Sequence, residues 1–383
     1  MAFINKNLKK YKYGLQGFKK KQRLNSWRFF FSGLDEFSGT QQMFLLEFIM
    51  VNPWNSPSKV RICLEGENRP DISFEDEISK KTKLKENELP SYCCIRICKL
   101  GKEPKHLCKY VTIKDVNFSK KPFSVSIGDN IFAENRLQGR ICVSERDGSY
   151  KSEYMCDKGY AVWDLSYEVH NGFAIGFNDE SRWFPSGIHT FIWGKVLFDG
   201  VEYKVKKDRS YGYSERYWGK TYPSPWFHLS ANELISEYSG RPLTNSSFAV
   251  QGIFDGKLSF IGHINDLEII FKGDSSKNNK KITWDCVKMP ETDKEKSNMI
   301  HWSCSFPVKN WVIDIDVYCK LNDLLQRIIE MPDPKGGNLK LLSGFSDSGE
   351  IKLYKRNGAN IEQIEHARFR RCVCEYGAKK KKY

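Results

Sequence analysis

Apolar and β-branched residues recur along the chain in short runs, broken at fairly even intervals by Gly, Asp, Asn and Pro. Residues 43–51 (MFLLEFIMV) read as an apolar strand stopped by Asn52-Pro53. Shorter runs with alternation or β-branched content follow at 92–100, 109–115, 123–127 and 138–144. Asp199-Gly200 lies between runs 193–198 and 202–205, and Asp255-Gly256 between 248–254 and 257–261; both pairs predict tight hairpins. Runs 269–272, 281–286, 301–306, 311–319, 339–343, 350–355 and 364–374 continue the series. The best helical candidate is 322–330, which is short enough to be a strand instead. Polar stretches at 65–89, 273–280 and 290–298 read as loops. Many short strands with Gly/Asp turns predict an all-β chain of barrels or sandwiches. At 383 residues one antiparallel barrel is too small and two are natural, and no fixed-period repeat is visible.

Charge adds a second pattern. The chain has 61 Lys+Arg against 47 Asp+Glu, a formal net charge of +14. Residues 1–23 hold eight basic residues and no acid, and residues 368–383 hold seven against Glu375. The ends therefore carry the excess and 24–367 is formally neutral, which argues against a nucleic-acid-binding body. The basic ends suit contact with an anionic membrane leaflet. At 40% hydrophobic and 14% aromatic the chain can fill a sizeable core. No run approaches a membrane-spanning helix, and the basic N-terminus lacks the apolar stretch of a secretory signal, so a cytoplasmic or peripherally membrane-attached protein is expected. Twelve Cys without a C-x-x-C pair fit buried thiols in a reducing compartment, and no metal is expected.

Residues 211–232 stand apart: seven aromatics, a carboxylate, two cations, two Gly and two Pro. Pro223 and Pro225 cannot both sit in a central strand, so a crossover or bent edge is expected there. Either the aromatics fill a corner between barrels, or they wall a pocket with Glu215 and Arg216 as its polar groups. Burial would favour a protonated Glu215, and the faces of Tyr213, Tyr217, Trp218 and Trp226 would favour a nearby cation. His228 lies two residues past Trp226, on the same face of an extended segment. Asn232 could orient a hydroxyl or satisfy a turn.

The stretch Tyr213-Ser-Glu-Arg-Tyr-Trp-Gly-Lys-Thr-Tyr-Pro-Ser-Pro-Trp-Phe227 resembles the signature of the tocopherol cyclase family. Glu215, Trp218, Gly219, Pro223, Trp226 and Asn232 fall on its characteristic positions. It is more distantly similar to the acid–Arg–acid–Trp motif of carotenoid hydratases, whose acid aligns with Glu215. Trp27 lies in what looks like the family's opening strand. Trp163-Asp-Leu, Asp199-Gly-x-x-Tyr203 and Cys374-Glu-Tyr-Gly377 resemble further elements of bacterial members. The family's opening Gly-Trp-Tyr is Ser26-Trp27-Arg28 here, and Arg216-Tyr217 replaces Lys-Asn.

The resemblance implies two lipocalin-like antiparallel barrels side by side, with few short helices and the motif at their junction. The corresponding segments are a basic 1–23, barrels over 24–221 and 222–377, and a basic 378–383. It implies a cofactor-independent, redox-neutral cyclisation, hydration or isomerisation of a prenylated hydrophobic substrate. Glu215 would be the general acid, His228 a proton shuttle, and Tyr213, Tyr217, Trp218, Trp226, Asn232 and Trp27 the substrate contacts. The alternative is a lipocalin-like carrier that holds a hydrophobic small molecule without converting it.

Overall fold

Alternation becomes antiparallel pairing almost everywhere in the computed structural model, which describes residues 23–62, 89–120, 122–147, 156–171, 181–253, 257–271, 273, 282–290, 297–308, 310–333 and 338–379. The first half carries β1 (Leu24–Leu34), β2 (Gln41–Val51), β3 (Tyr92–Leu100), β4 (Lys105–Val111), β5 (Val116–Lys120), β6 (Phe123–Ile127) and β7 (Asn130–Ala133). It continues with β8 (Arg136–Val143), β9 (Gly159–Asn171), β10 (Ser181–Gly187), β11 (His189–Phe198), β12 (Val201–Val205) and β13 (Gly212–Gly219). The second half begins with β14 (Trp226–Ala231), β15 (Leu234–Ser236), β16 (Ser247–Ile253), β17 (Lys257–Ile264), β18 (Leu267–Phe271), β19 (Thr283–Lys288) and β20 (Met299–Val308). It ends with β21 (Trp311–Lys320), β22 (Leu325–Glu330), β23 (Asn338–Ser346), β24 (Ser348–Asn357), β25 (Asn360–Phe369) and β26 (Cys372–Lys379).

The all-β expectation is met, with local corrections. Asp199 and Gly200 take positive φ of 47° and 89°, the backbone a two-residue hairpin needs between β11 and β12. The second Asp-Gly pair lies outside the described residues, as do 1–22, 63–88 and 380–383. The run at 109–115 breaks at Thr112, where the Asp115 carboxylate accepts from the Thr112 N–H and hydroxyl and closes a 3-10 turn. The helical candidate at 322–330 is mostly β22, after a 3-10 turn at Leu321–Asp323. Leu325, Arg327 and Ile329 are buried at period two, and that burial outweighs helix propensity. The run at 364–374 is split between β25 and β26 by Arg370 and Arg371. Among the described residues no helix is long and apolar enough to cross a membrane.

In the first half one sheet curls in the order β4-β3-β2-β1-β12-β11-β9-β8-β7-β6-β5, with β13 joining β1 to β10. It nearly closes where the Asp157 N–H donates to the His106 carbonyl beyond the free edge of β4. Inside it Phe29, Trp27, Phe48 and Phe123 all meet the ring of Phe132. In the second half β18-β17-β16-β14-β26-β23-β22 faces β15-β25-β24-β21-β20-β19, a flattened form of the expected barrel. Between them lies a core in which Phe248 meets Phe369, and Phe260 meets Phe306. The other face of the β14 sheet, carrying Trp226, Ala249, Ile261, Leu341 and Val373, packs into the core of the first half. That junction of two sheet faces is where the 211–232 segment crosses from β13 to β14.

Candidate functional site

Cross-strand register builds the site. Residues directly opposite in antiparallel strands share a face, so one row of side chains runs across four strands of the first sheet. Arg96 of β3 faces Glu47 of β2, Glu47 faces Arg28 of β1, and Arg28 faces Glu215 of β13. The signs alternate along the row. The sheet across the junction presents its own polar row: Ser343 of β23, Glu375 of β26, His228 of β14, Gln251 of β16 and Ser259 of β17. Arg327 of β22 reaches in beside it.

The two rows interlock. Arg28 donates to Glu215, grips both oxygens of Glu375 at 2.7 Å, and places its Nε 3.3 Å from Glu47. Arg96 donates to Glu47 at 2.9 Å, and Arg327 spans Glu47 and Glu375 at 3.2 Å each. Three guanidiniums thus balance three carboxylates in a region closed to water, where each of the six side chains is at most 6% exposed. Isolated charges could not remain ionised there; paired and hydrogen-bonded ones can. Burial alone would raise the Glu375 carboxyl, but Arg28 and Arg327 outweigh it and hold it down to about 2. Glu47 is likewise held low, against burial, by Arg96, Arg28 and Arg327. Burial would lower the Arg28 guanidinium, and Glu375, Glu215 and Glu47 together raise it well above the usual range.

Glu215 has a distinct shell. Besides Arg28 it accepts from the Trp183 indole at 2.7 Å and the Tyr213 hydroxyl at 2.8 Å. Burial, then the Glu215 charge, keep the Tyr213 and Tyr217 phenols protonated. The His228 Nδ1 stands 3.8 Å from Glu215 and 2.9 Å from the Gln251 side-chain oxygen. Its Nε2 is 3.1 Å from the Ser230 hydroxyl, which is 2.7 Å from the Tyr211 hydroxyl. Gln251 Oε1 can only accept, which assigns the proton to Nδ1 and leaves Nε2 to accept from Ser230. Burial lowers the His228 pKa although Glu215 and Glu375 pull the other way, so the ring is neutral.

The register splits the residues singled out from the sequence. Tyr213, Tyr217, Trp226 and His228 gather around Glu215: Tyr217 and Trp226 rings are 5.0 Å apart, and Tyr213 and His228 rings 5.3 Å. Trp27 and Trp218 share the opposite face of the sheet with Arg216, whose guanidinium lies 4.6 Å and 5.3 Å from their rings. Arg216 donates to Asn25, and burial pushes its pKa down to about 9. Asn232 donates to the Gly212 carbonyl, tying the end of β14 to the start of β13. Two buried hydroxyls beside the cluster, Tyr217 and the opposing Ser26, have no hydrogen-bond partner among the described residues. Sequence reasoning missed Arg28, Glu47, Arg96, Trp183, Arg327 and Glu375. Among the described residues no group of three His, Cys, Asp or Glu could hold a metal ion.

No protein-family model and no curated protein matches the chain. Among solved structures, a protein of Nitrosomonas europaea provisionally assigned as AttH is 11% identical over 92% of this chain and 92% of its own, with a TM-score of 0.46. Kievitone hydratase from Nectria haematococca is 11% identical over 92% of this chain and 88% of its own, with a TM-score of 0.43. Neither likeness bears on the chemistry of this chain.

Proposed function

We propose that the chain is a cofactor-independent acid–base catalyst that hydrates, cyclises or isomerises a prenylated apolar substrate at the junction of its two sheets. The observation that supports this reading most is the setting of Glu215. It is a buried carboxylate between a phenol, an indole and a neutral imidazole, with the rings of Tyr213, Tyr217 and Trp226 around it.

Both oxygens of Glu215 accept hydrogen bonds, one from Arg28 and the other from Trp183 and Tyr213. Arg28 retains Glu375 and Glu47 when Glu215 takes up a proton, so loading Glu215 does not strand the guanidinium. The loaded acid protonates the alkene of the substrate, and the tertiary cation forms against ring faces that carry negative quadrupole. A phenolic oxygen or a water captures that cation and releases one proton, which returns to Glu215 or to neutral His228. No electron is gained or lost. Neither the cavity of about 520 Å³ nor that of about 10 Å³ is lined by Glu215, so this reading requires the two sheet faces to part for a substrate to reach it.

The test is incubation of the protein with a panel of prenylated phenols and hydroquinones, followed by mass spectrometry. The expected product is an isomer of the substrate or a species one water heavier, lost in Glu215→Gln. Recovery of every compound unchanged, with some bound, would replace the catalyst by a carrier. Full turnover by Glu215→Gln would remove Glu215 as the acid.

A further inference from the structure

Arg368, Arg370 and Arg371 were counted with the basic C-terminal segment, but the structure places Arg368 near the end of β25 and Arg370 and Arg371 in the connection to β26. There they line a groove of about 520 Å³. Its apolar surface is the partly exposed Ile235 of β15 and Phe345 of β23, and it also borders on the buried Met43 of β2 and Phe369 of β25. Asp347 lines it as well.

The three cations differ in how far they are already used. Arg368 places its Nε 3.1 Å from Glu237. The Arg371 side chain is 13% exposed, and its Nη1 donates to the Ser32 hydroxyl at 2.8 Å and lies 3.1 Å from Glu233. Its Nε and Nη2 make no hydrogen bond among the described residues. Burial lowers the Arg371 pKa, with Arg370 adding to the effect and Glu233 opposing it. Arg370 is exposed and makes no ion pair among the described residues. A fixed, partly desolvated guanidinium with two unused donors beside a second open guanidinium is a receptor for a carboxylate. The neighbouring apolar surface cannot be satisfied by an inorganic anion.

We infer that this groove binds a free long-chain carboxylate, with the head on Arg370 and Arg371 and the chain along Ile235 and Phe345. Ser32, at its edge, lies four residues along β1 from Arg28, roughly 13 Å away. The groove is therefore a site apart from Glu215 and does not depend on the chemistry proposed there.

Isothermal titration of the full chain with dodecanoate, below its micellar concentration, tests this. Wild type is expected to bind dodecanoate in preference to dodecan-1-ol. Arg370→Glu is expected to weaken binding by about tenfold or more, the loss of one charge-assisted hydrogen bond, while Arg370→Lys keeps most of it. Ile235→Gln is expected to weaken it through the chain. Circular dichroism establishes that each variant is folded, and Arg370→Gln replaces Arg370→Glu should the latter unfold. The inference is overturned if dodecan-1-ol binds as well as dodecanoate or if Arg370 variants bind unchanged. It is also overturned if acetate displaces dodecanoate at equal concentration, or if binding is seen with phosphatidylserine vesicles and not with the monomer.

Discussion

Arg28, Glu47, Arg96 and Arg327 share a sequence signature that is plain once their partners are known. Each is a charge set in a largely apolar run: WRFFF, LLEFI, CIRIC and LQRII. A charge on such a strand must be paired, because burying it alone is prohibitive. That signal went unread, and it would not have said whom they meet, since Arg28 and Glu375 are 347 residues apart. Trp27 and Trp218 show the opposite case. Trp218 was grouped with Glu215 by proximity in the chain and Trp27 by the family resemblance, and strand alternation sends both to the other face. Removing one member of the network leaves its opposite charge buried, so Arg28→Met is expected to cost about 3–5 kcal/mol in urea unfolding. The double variant with Glu215→Gln should recover part of that loss. A cost below about 1 kcal/mol would show that the charges are not mutually dependent.

The same residues set the response to acid. Glu375 has a folded pKa of about 2 against an ordinary 4.5, so its contribution is complete above about 4.5 and is lost as pH falls toward 2. His228, lowered from 6.5, and His189, lowered to about 4 by burial, have the same sign and lose stability first, below 6.5. Melting temperature should thus fall in two stages between pH 7 and 3, and His228→Gln should flatten the first stage. A profile level from pH 7 to 5 would contradict neutral, buried imidazoles.

At the scale of elements, period-two burial and turn chemistry carried most of the fold. The Asp199-Gly200 hairpin formed as its residues require, and Pro223 and Pro225 lie in the connection between β13 and β14. Errors arose where a strand end met a local cap, as at Thr112, or where a short amphipathic run fits both periods, as in β22. Close approach of two strands was not legible. A Cβ on Gly212 would stand 1.9 Å from the Thr190 carbonyl oxygen, so only glycine lets β13 pass the start of β11 there. Gly212→Ala is expected to destabilise the protein by about 1–3 kcal/mol, because the atom in the way is backbone and cannot rotate aside. Unchanged thermal unfolding would mean that β13 has room to shift.

For the whole molecule, composition showed a neutral, aromatic-rich body with basic ends, and the structure changes what one of those ends is. Arg368 to Arg371 lie where the chain passes from β25 of one sheet to β26 of the other, at the border of a groove, while residues 1–22 and 380–383 lie outside the described structure. What the sequence could not show is that a polar row on one sheet faces a polar row on another. That facing depends on how strands far apart in the chain are ordered and registered. It is also what brings His228 and Glu375 to Glu215, and the proposed chemistry depends on it. The most direct measurement is turnover of a prenylated phenol in D₂O. A product carrying one carbon-bound deuterium from wild type, and none formed by folded Glu215→Gln, is the result expected of proton transfer to the alkene at this junction. A product without deuterium, or one formed equally by Glu215→Gln, would contradict it.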